Sequence, residues 1–225
     1  MTAGTPAERW TNGHALLLAS SAALCAPLHL AWPTAALGAG SLLLLLAREL
    51  RGSAAAGVSP IGAANGITLA RLALVLLLAV RLPRGSGPVE AGLVLLVFAL
   101  DGVDGWVARR TGRASELGAR FDMETDALFV LVCALGLYAC ERLGAYVLVP
   151  GVLRYAYVLA LALVPRLRRE APRSLLGRYA FALMVLSFAA SAWPLSRQHA
   201  LLAVVASLCI VASFARSVYW SLRSV

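Results

Sequence analysis

The sequence predicts an all-α, polytopic helical bundle embedded in a membrane, and three observations lead there. Hydrophobic residues make up 60% of its 225 positions and charged residues only 14%. The apolar runs recur along the whole length, and the breaks between them are rich in Gly, Pro and Arg. A membrane-crossing helix needs about 20 apolar residues, and eight segments approach that length: 14–31, 33–47, 61–82, 89–108, 118–140, 145–164, 175–193 and 199–220, the second being short. No stretch long enough to build a soluble core lacks such a segment.

The first segment follows Arg9 and contains small residues, as a signal peptide does. It leads straight into a second apolar run, which favours its retention. Residues 48–60, "RELRGSAAAGVSP", combine charge with Gly, Ser and Pro and read as a linker. The expected organisation is therefore an N-terminal segment, 1–52, carrying one or two extra helices, followed by a six-span core, 60–225.

All 20 basic residues are arginine, and the net charge is +9. Their placement serves topology rather than nucleic acid. With the N-terminus inside, Arg48, Arg51, Arg109, Arg110, Arg113, Arg120 and most later arginines face the cytoplasm, whereas Arg81, Arg84, Arg142 and Arg197 face outward. The expected location is a bacterial inner membrane with anionic lipid against the basic rim. Cys25, Cys133, Cys140 and Cys209 lack metal-ligand spacing and read as small hydrophobes. His14, His29 and His199 lie near span ends and read as interfacial.

The densest charge falls between the fourth and fifth spans. Asp101 and Asp104 are three apart and Asp122 and Asp126 four apart, so each pair shares a helix face. With the intervening turn near Thr111 to Ser115, both pairs sit about 10–15 Å inside their helix ends at ~1.5 Å per residue. Four carboxylates at one depth need cations, and hard oxygen donors suit Mg²⁺, Mn²⁺ or Ca²⁺. Gly105, Ala108 and Gly118 allow close approach of a flat ligand or of a neighbouring helix. Arg109 offers a forked donor for phosphate. Arg71 and Arg154 lie inside spans and need anionic partners, for Arg154 a permanent one such as Glu124 or an aspartate, or an anionic substrate. A transporter or channel with an acidic metal site is the competing class, although its charges would follow a path rather than one depth.

The spacing Asp101-x2-Asp104-Gly105-x2-Ala108-Arg109-x8-Gly118-x3-Asp122-x3-Asp126 resembles the signature of the CDP-alcohol phosphatidyltransferase family at all eight of its fixed positions. "ANGITLARL" is similar to that family's first core span. The resemblance implies a membrane phosphotransferase that moves a phosphatidyl or related group from a CDP-alcohol lipid, usually CDP-diacylglycerol, to an acceptor hydroxyl with release of CMP. It implies two divalent cations, Mg²⁺ or Mn²⁺, on Asp101, Asp104, Asp122 and Asp126, with Asp126 also the base. It places Asn65, Thr68, Arg71, Gly105, Ala108, Arg109 and Gly118 at the CDP-alcohol. The active site then faces the cytoplasm, and the partners expected are the two substrates, membrane lipid and a second copy in a homodimer. Arg154 suggests an anionic acceptor, a glycerol or inositol phosphate, while serine, free inositol, phosphatidylglycerol and a CDP-choline-type reaction stay open.

Overall fold

The structure, a computed structural model, describes residues 5–55, 63–111, 116–164, 167, 175–193 and 198–223; the side chains at 6, 49–50, 52–55, 63–65, 104–109, 111, 116 and 198 lie outside that description. Among the described residues there are eight long helices and no strand. They are α1 (Pro6–Cys25), α2 (Trp32–Ala55), α3 (Ala63–Arg81), α4 (Pro88–Thr111), α5 (Glu116–Ala139), α6 (Leu148–Leu163), α7 (Leu175–Ala192) and α8 (Gln198–Arg223). Short 3₁₀ turns, Leu82–Arg84 and Ala145–Val147, precede α4 and α6.

Two boundaries differ from the sequence expectation. Helix α1 begins at Pro6 rather than near His14, because Thr5 and Glu8 form a capping box: the Glu8 amide donates to Thr5 Oγ1 at 3.2 Å and the Thr5 amide to Glu8 Oε2 at 2.8 Å. Hydropathy registers only the later apolar turns. Helix α2 runs through Ala55, so much of the expected linker is helical; "RELRGSAA" contains mostly good helix formers and a single Gly. Residues 56–60 lie outside the description.

Helix α5 is the centre of the bundle. Residues 128–137 are all buried, as expected of a helix apolar on every side, and α5 packs against α2, α3, α6 and α7. Around it the other seven form a closed ring in the order α1, α2, α3, α4, α7, α8, α6 and back to α1. The N-terminal hairpin is thus not appended to the outside, since it fills the gap between α3 and α6. Close approach needs glycine at two places. A Cβ at Gly136 of α5 would lie 2.5 Å from Leu82 Cβ, and one at Gly38 of α2 would meet the Leu128 side chain of α5 at 2.7 Å.

Polar contacts fix the hairpin. The Ser21 and Thr34 hydroxyls hydrogen-bond at 2.9 Å, and His29, at φ +55°, stacks on Tyr138 and places Nδ1 3.1 Å from the Ala139 carbonyl at the end of α5. On the same side of the bundle, Arg142 donates to the carbonyls of Ser191 and Trp193 at 3.0 and 2.8 Å, satisfying the end of α7.

Among the described residues, four stretches are long and apolar enough to cross a membrane: Gly66–Arg84, Ala145–Leu163, Leu175–Ala192 and His199–Arg223. Trp32–Arg48 is apolar but shorter. Helix α5 stands apart because Arg120, Asp122, Glu124 and Asp126 occupy its first half. The protein is an integral membrane helical bundle, and the exposed leucines along α8, such as Leu201 and Leu208, form a surface suited to lipid.

Candidate active site

Helices α3, α4 and α5 bring charged residues to one point. Arg71 of α3 is 1% exposed, and its guanidinium reaches three carboxylates. Nη1 lies 2.5 Å from Asp122 Oδ1 and 3.3 Å from Asp101 Oδ1, while Nη2 donates to Asp126 Oδ1. One oxygen from each aspartate falls within 4.8 Å of the others. The four-residue step from Asp122 to Asp126 puts both on one face of α5, and Asp101 meets them from α4. Unpaired like charges this close repel; here a forked cation is shared among them.

The fit of this cluster to a metal follows from its donors. Three carboxylate oxygens converging from two helices are a hard set, suited to Mg²⁺, Mn²⁺ or Ca²⁺ and poorly to softer metals. Arg71 stands where sequence reasoning put a contact to a diphosphate, and its described partners are the aspartates themselves. Thr68 is buried one turn earlier on α3, and Gly118 is half-buried in the first turn of α5. Gly105 falls within α4, and the side chains of Asn65, Asp104, Ala108 and Arg109 lie outside the description.

Arg154 is not part of the aspartate cluster. Glu124, between Asp122 and Asp126 in sequence, points to the other side of α5, where it is 1% exposed and accepts from Arg154 Nη2 at 2.6 Å. Helix α5 therefore carries two carboxylate faces, one toward α3 and α4 and one toward α6. The two meet at a cavity of about 370 Å³ lined by Asp122, Asp126 and Arg154 and by apolar residues including Val130, Phe181 and Phe214.

Sequence reading underrated two groups. His14, expected at an interface, is 2% exposed, stacked on Trp10 and edge-on to Tyr155 of α6. The only signal was its spacing from Trp10, one helical turn. Arg120, read only as part of the cytoplasmic rim, lines a second cavity with Arg154 and the start of α1; its place two residues before Asp122 was the available clue.

The family profile for CDP-alcohol phosphatidyltransferases matches residues 61–215, from the start of α3 into α8. A cardiolipin synthase (CMP-forming) from Streptomyces coelicolor is 35% identical over 139 residues, covering 55% of this chain and 64% of that protein. The chain therefore spans less than two thirds of that relative's length. No solved structure matches.

Proposed function

Because the chain belongs to the CDP-alcohol phosphatidyltransferase family, we propose that it transfers a phosphatidyl or related phospho-alcohol group from a CDP-alcohol, CDP-diacylglycerol in the first instance, to an acceptor hydroxyl with release of CMP. The observation that carries this reading is the convergence of Asp101, Asp122 and Asp126 on Arg71, next to a cavity with apolar walls. A transporter would need charges strung along a path, whereas these gather at one depth.

Asp101, Asp104, Asp122 and Asp126 are the residues to hold two divalent cations, Mg²⁺ or Mn²⁺. When bound, such cations neutralise the diphosphate and stabilise the CMP leaving group. Asp126 accepts the proton of the acceptor hydroxyl on its carboxylate. The acceptor oxygen forms a bond to the phosphatidyl phosphorus, and the bond from that phosphorus to the bridging oxygen breaks, the oxygen departing with CMP. Asn65, Thr68, Gly105, Ala108, Arg109 and Gly118 are assigned to the CDP-alcohol. Arg71 orients the carboxylates and presents its cation to the diphosphate. The apolar walls formed by Val130, Phe181 and Phe214 keep bulk water from competing as acceptor.

Arg154 supports an acceptor that carries a phosphate, such as glycerol phosphate or inositol phosphate. Phosphatidylglycerol, among the acceptors left open by the sequence, offers the same chemistry, a phosphate ester with free hydroxyls. Residues 60–225 are the catalytic core and 1–52 the added N-terminal segment, and the arginine bias orients the site toward the cytoplasm of a bacterial inner membrane. Incubating the purified protein with CDP-diacylglycerol, Mn²⁺ and a panel of acceptors tests the proposal, with CMP release as the readout. Release that needs both acceptor and cation is the expected result, and no release with any acceptor would discard it.

A further inference from the structure

A cavity of about 290 Å³ lies between α1, α5 and α6, lined by Glu8, Thr11 and Asn12 of α1, Arg120 of α5, and Arg154 of α6 with the apolar residues that follow it. Helix α1 lies outside the stretch matched by the family profile, which begins at residue 61, so this wall comes from outside the matched region. The helix is held in place by its capping box and by His14 packed against Tyr155. Arg154 belongs to both this cavity and the one containing Asp122 and Asp126. Glu124 takes one of its Nη atoms, and its buried Nε has no hydrogen-bond partner. The side chains of Arg120 and Asn12 make no ion pair or hydrogen bond among the described residues.

Two guanidiniums on one wall match a phosphate, which accepts forked donors. On the opposite wall the Asn12 amide can donate and accept, while the Thr11 oxygen, whose proton goes to the Ala7 carbonyl at 3.0 Å, and the free oxygen of the Glu8 carboxylate can accept, a set that matches hydroxyl groups. A bare anion would leave Glu8 facing a like charge, so this set selects a phosphate ester that also bears hydroxyls. We propose that the pocket between α1 and α6 seats the phosphate and spare hydroxyls of the acceptor, making α1 an element of acceptor specificity supplied from outside the family core. This rests on the phosphatidyl-transfer reading for the identity of the occupant, and Asn12, Thr11 and Arg120 are its specificity residues.

The test uses the full chain in nanodiscs and the variants Asn12→Leu, Thr11→Val and Arg120→Gln, with two acceptor arms: soluble glycerol 3-phosphate, and phosphatidylglycerol incorporated in the disc. In whichever arm is the true source, KM for the acceptor is expected to rise at least ~10-fold in Arg120→Gln, the scale of one lost charge-assisted contact, and about 3–10-fold in Asn12→Leu, which loses a neutral one. KM for CDP-diacylglycerol and the melting temperature should stay at the wild-type values for Asn12→Leu, a half-buried site. Unchanged acceptor KM in both arms, or an equal rise in both substrates' KM, overturns the proposal. Direct calorimetric binding of each acceptor without CDP-alcohol separates the two readings. Binding lost in the variants, in a protein that releases no CMP, keeps the pocket and rejects the transferase. Normal CMP release with acceptor binding unaltered in the variants does the reverse.

Discussion

Removing the charge of Glu124 should destabilise the protein by several kcal/mol through Arg154. The pair lies at 2.6 Å, with Glu124 1% and Arg154 22% exposed. For unit charges ~4 Å apart at an effective dielectric near 20, Coulomb attraction amounts to about 4 kcal/mol. Breaking a buried pair by removing one partner costs about 3–5 kcal/mol, because the other charge is left without compensation. The partial exposure of Arg154 lets water reach its guanidinium and moves the expectation for Glu124→Gln to the lower end, about 3 kcal/mol. Replacing both residues with leucine removes the stranded charge along with its partner, so the double variant should be no less stable than either single one. Equilibrium unfolding in mixed micelles of wild type, Glu124→Gln, Glu124→Leu, Arg154→Leu and Glu124→Leu/Arg154→Leu measures this, with an expected coupling of at least ~2 kcal/mol between the two leucine substitutions. Additive losses, with a coupling below ~0.5 kcal/mol, would show that the contact carries no energy and that Arg154 is held by something else.

Three further outcomes follow from the same geometry. Asp126→Asn should keep nucleotide binding, read by displacement of a labelled CDP-alcohol, yet lose turnover by at least ~100-fold, the usual scale for a general base; near-normal turnover reassigns the base. EDTA should abolish CMP release and lower the melting temperature, and Mn²⁺ should restore both, since ion binding adds stability; a protein indifferent to chelation in both readouts has no metal site. Gly136→Ala should cost about 1–3 kcal/mol, because the new methyl would sit 2.5 Å from Leu82 Cβ, and a thermal unfolding scan that detects no loss would mean the α5 contact relaxes freely.

Local periodicity carried the helices and half of the site. Asp122 and Asp126 share a face because they are four apart, and that is readable from spacing alone. Arg71 as the common partner of three carboxylates was not, because its aspartates come from two other helices and nothing local reports which spans are neighbours. Glu124 illustrates the same limit in part: the sequence offered it as one candidate partner of Arg154, and the choice of Glu124 over the aspartates depends on α6 lying alongside α5. The start of α1 was legible in Thr5 and Glu8 but masked by hydropathy, which sees only the apolar turns after His14. The closed ring was illegible, since in lipid apolar faces are poor guides to helix partners and packing shape decides.

The closed ring also dictates an order of assembly. A chain made from its N-terminus delivers α1 and α2 first, yet the flank of α1 belongs to α6, which emerges roughly 120 residues later. Until then α1 keeps its place chiefly through α2, which α3 and α5 meet as they emerge, and the Ser21–Thr34 hydrogen bond within the pair lets two buried hydroxyls satisfy each other from the start. Joining α1 to α6 is a contact of high sequence separation, the kind that forms late and slowly. The second arginine-bearing cavity comes into being only with that last step, so a nascent chain has its aspartates in line before it has a finished wall opposite Arg154.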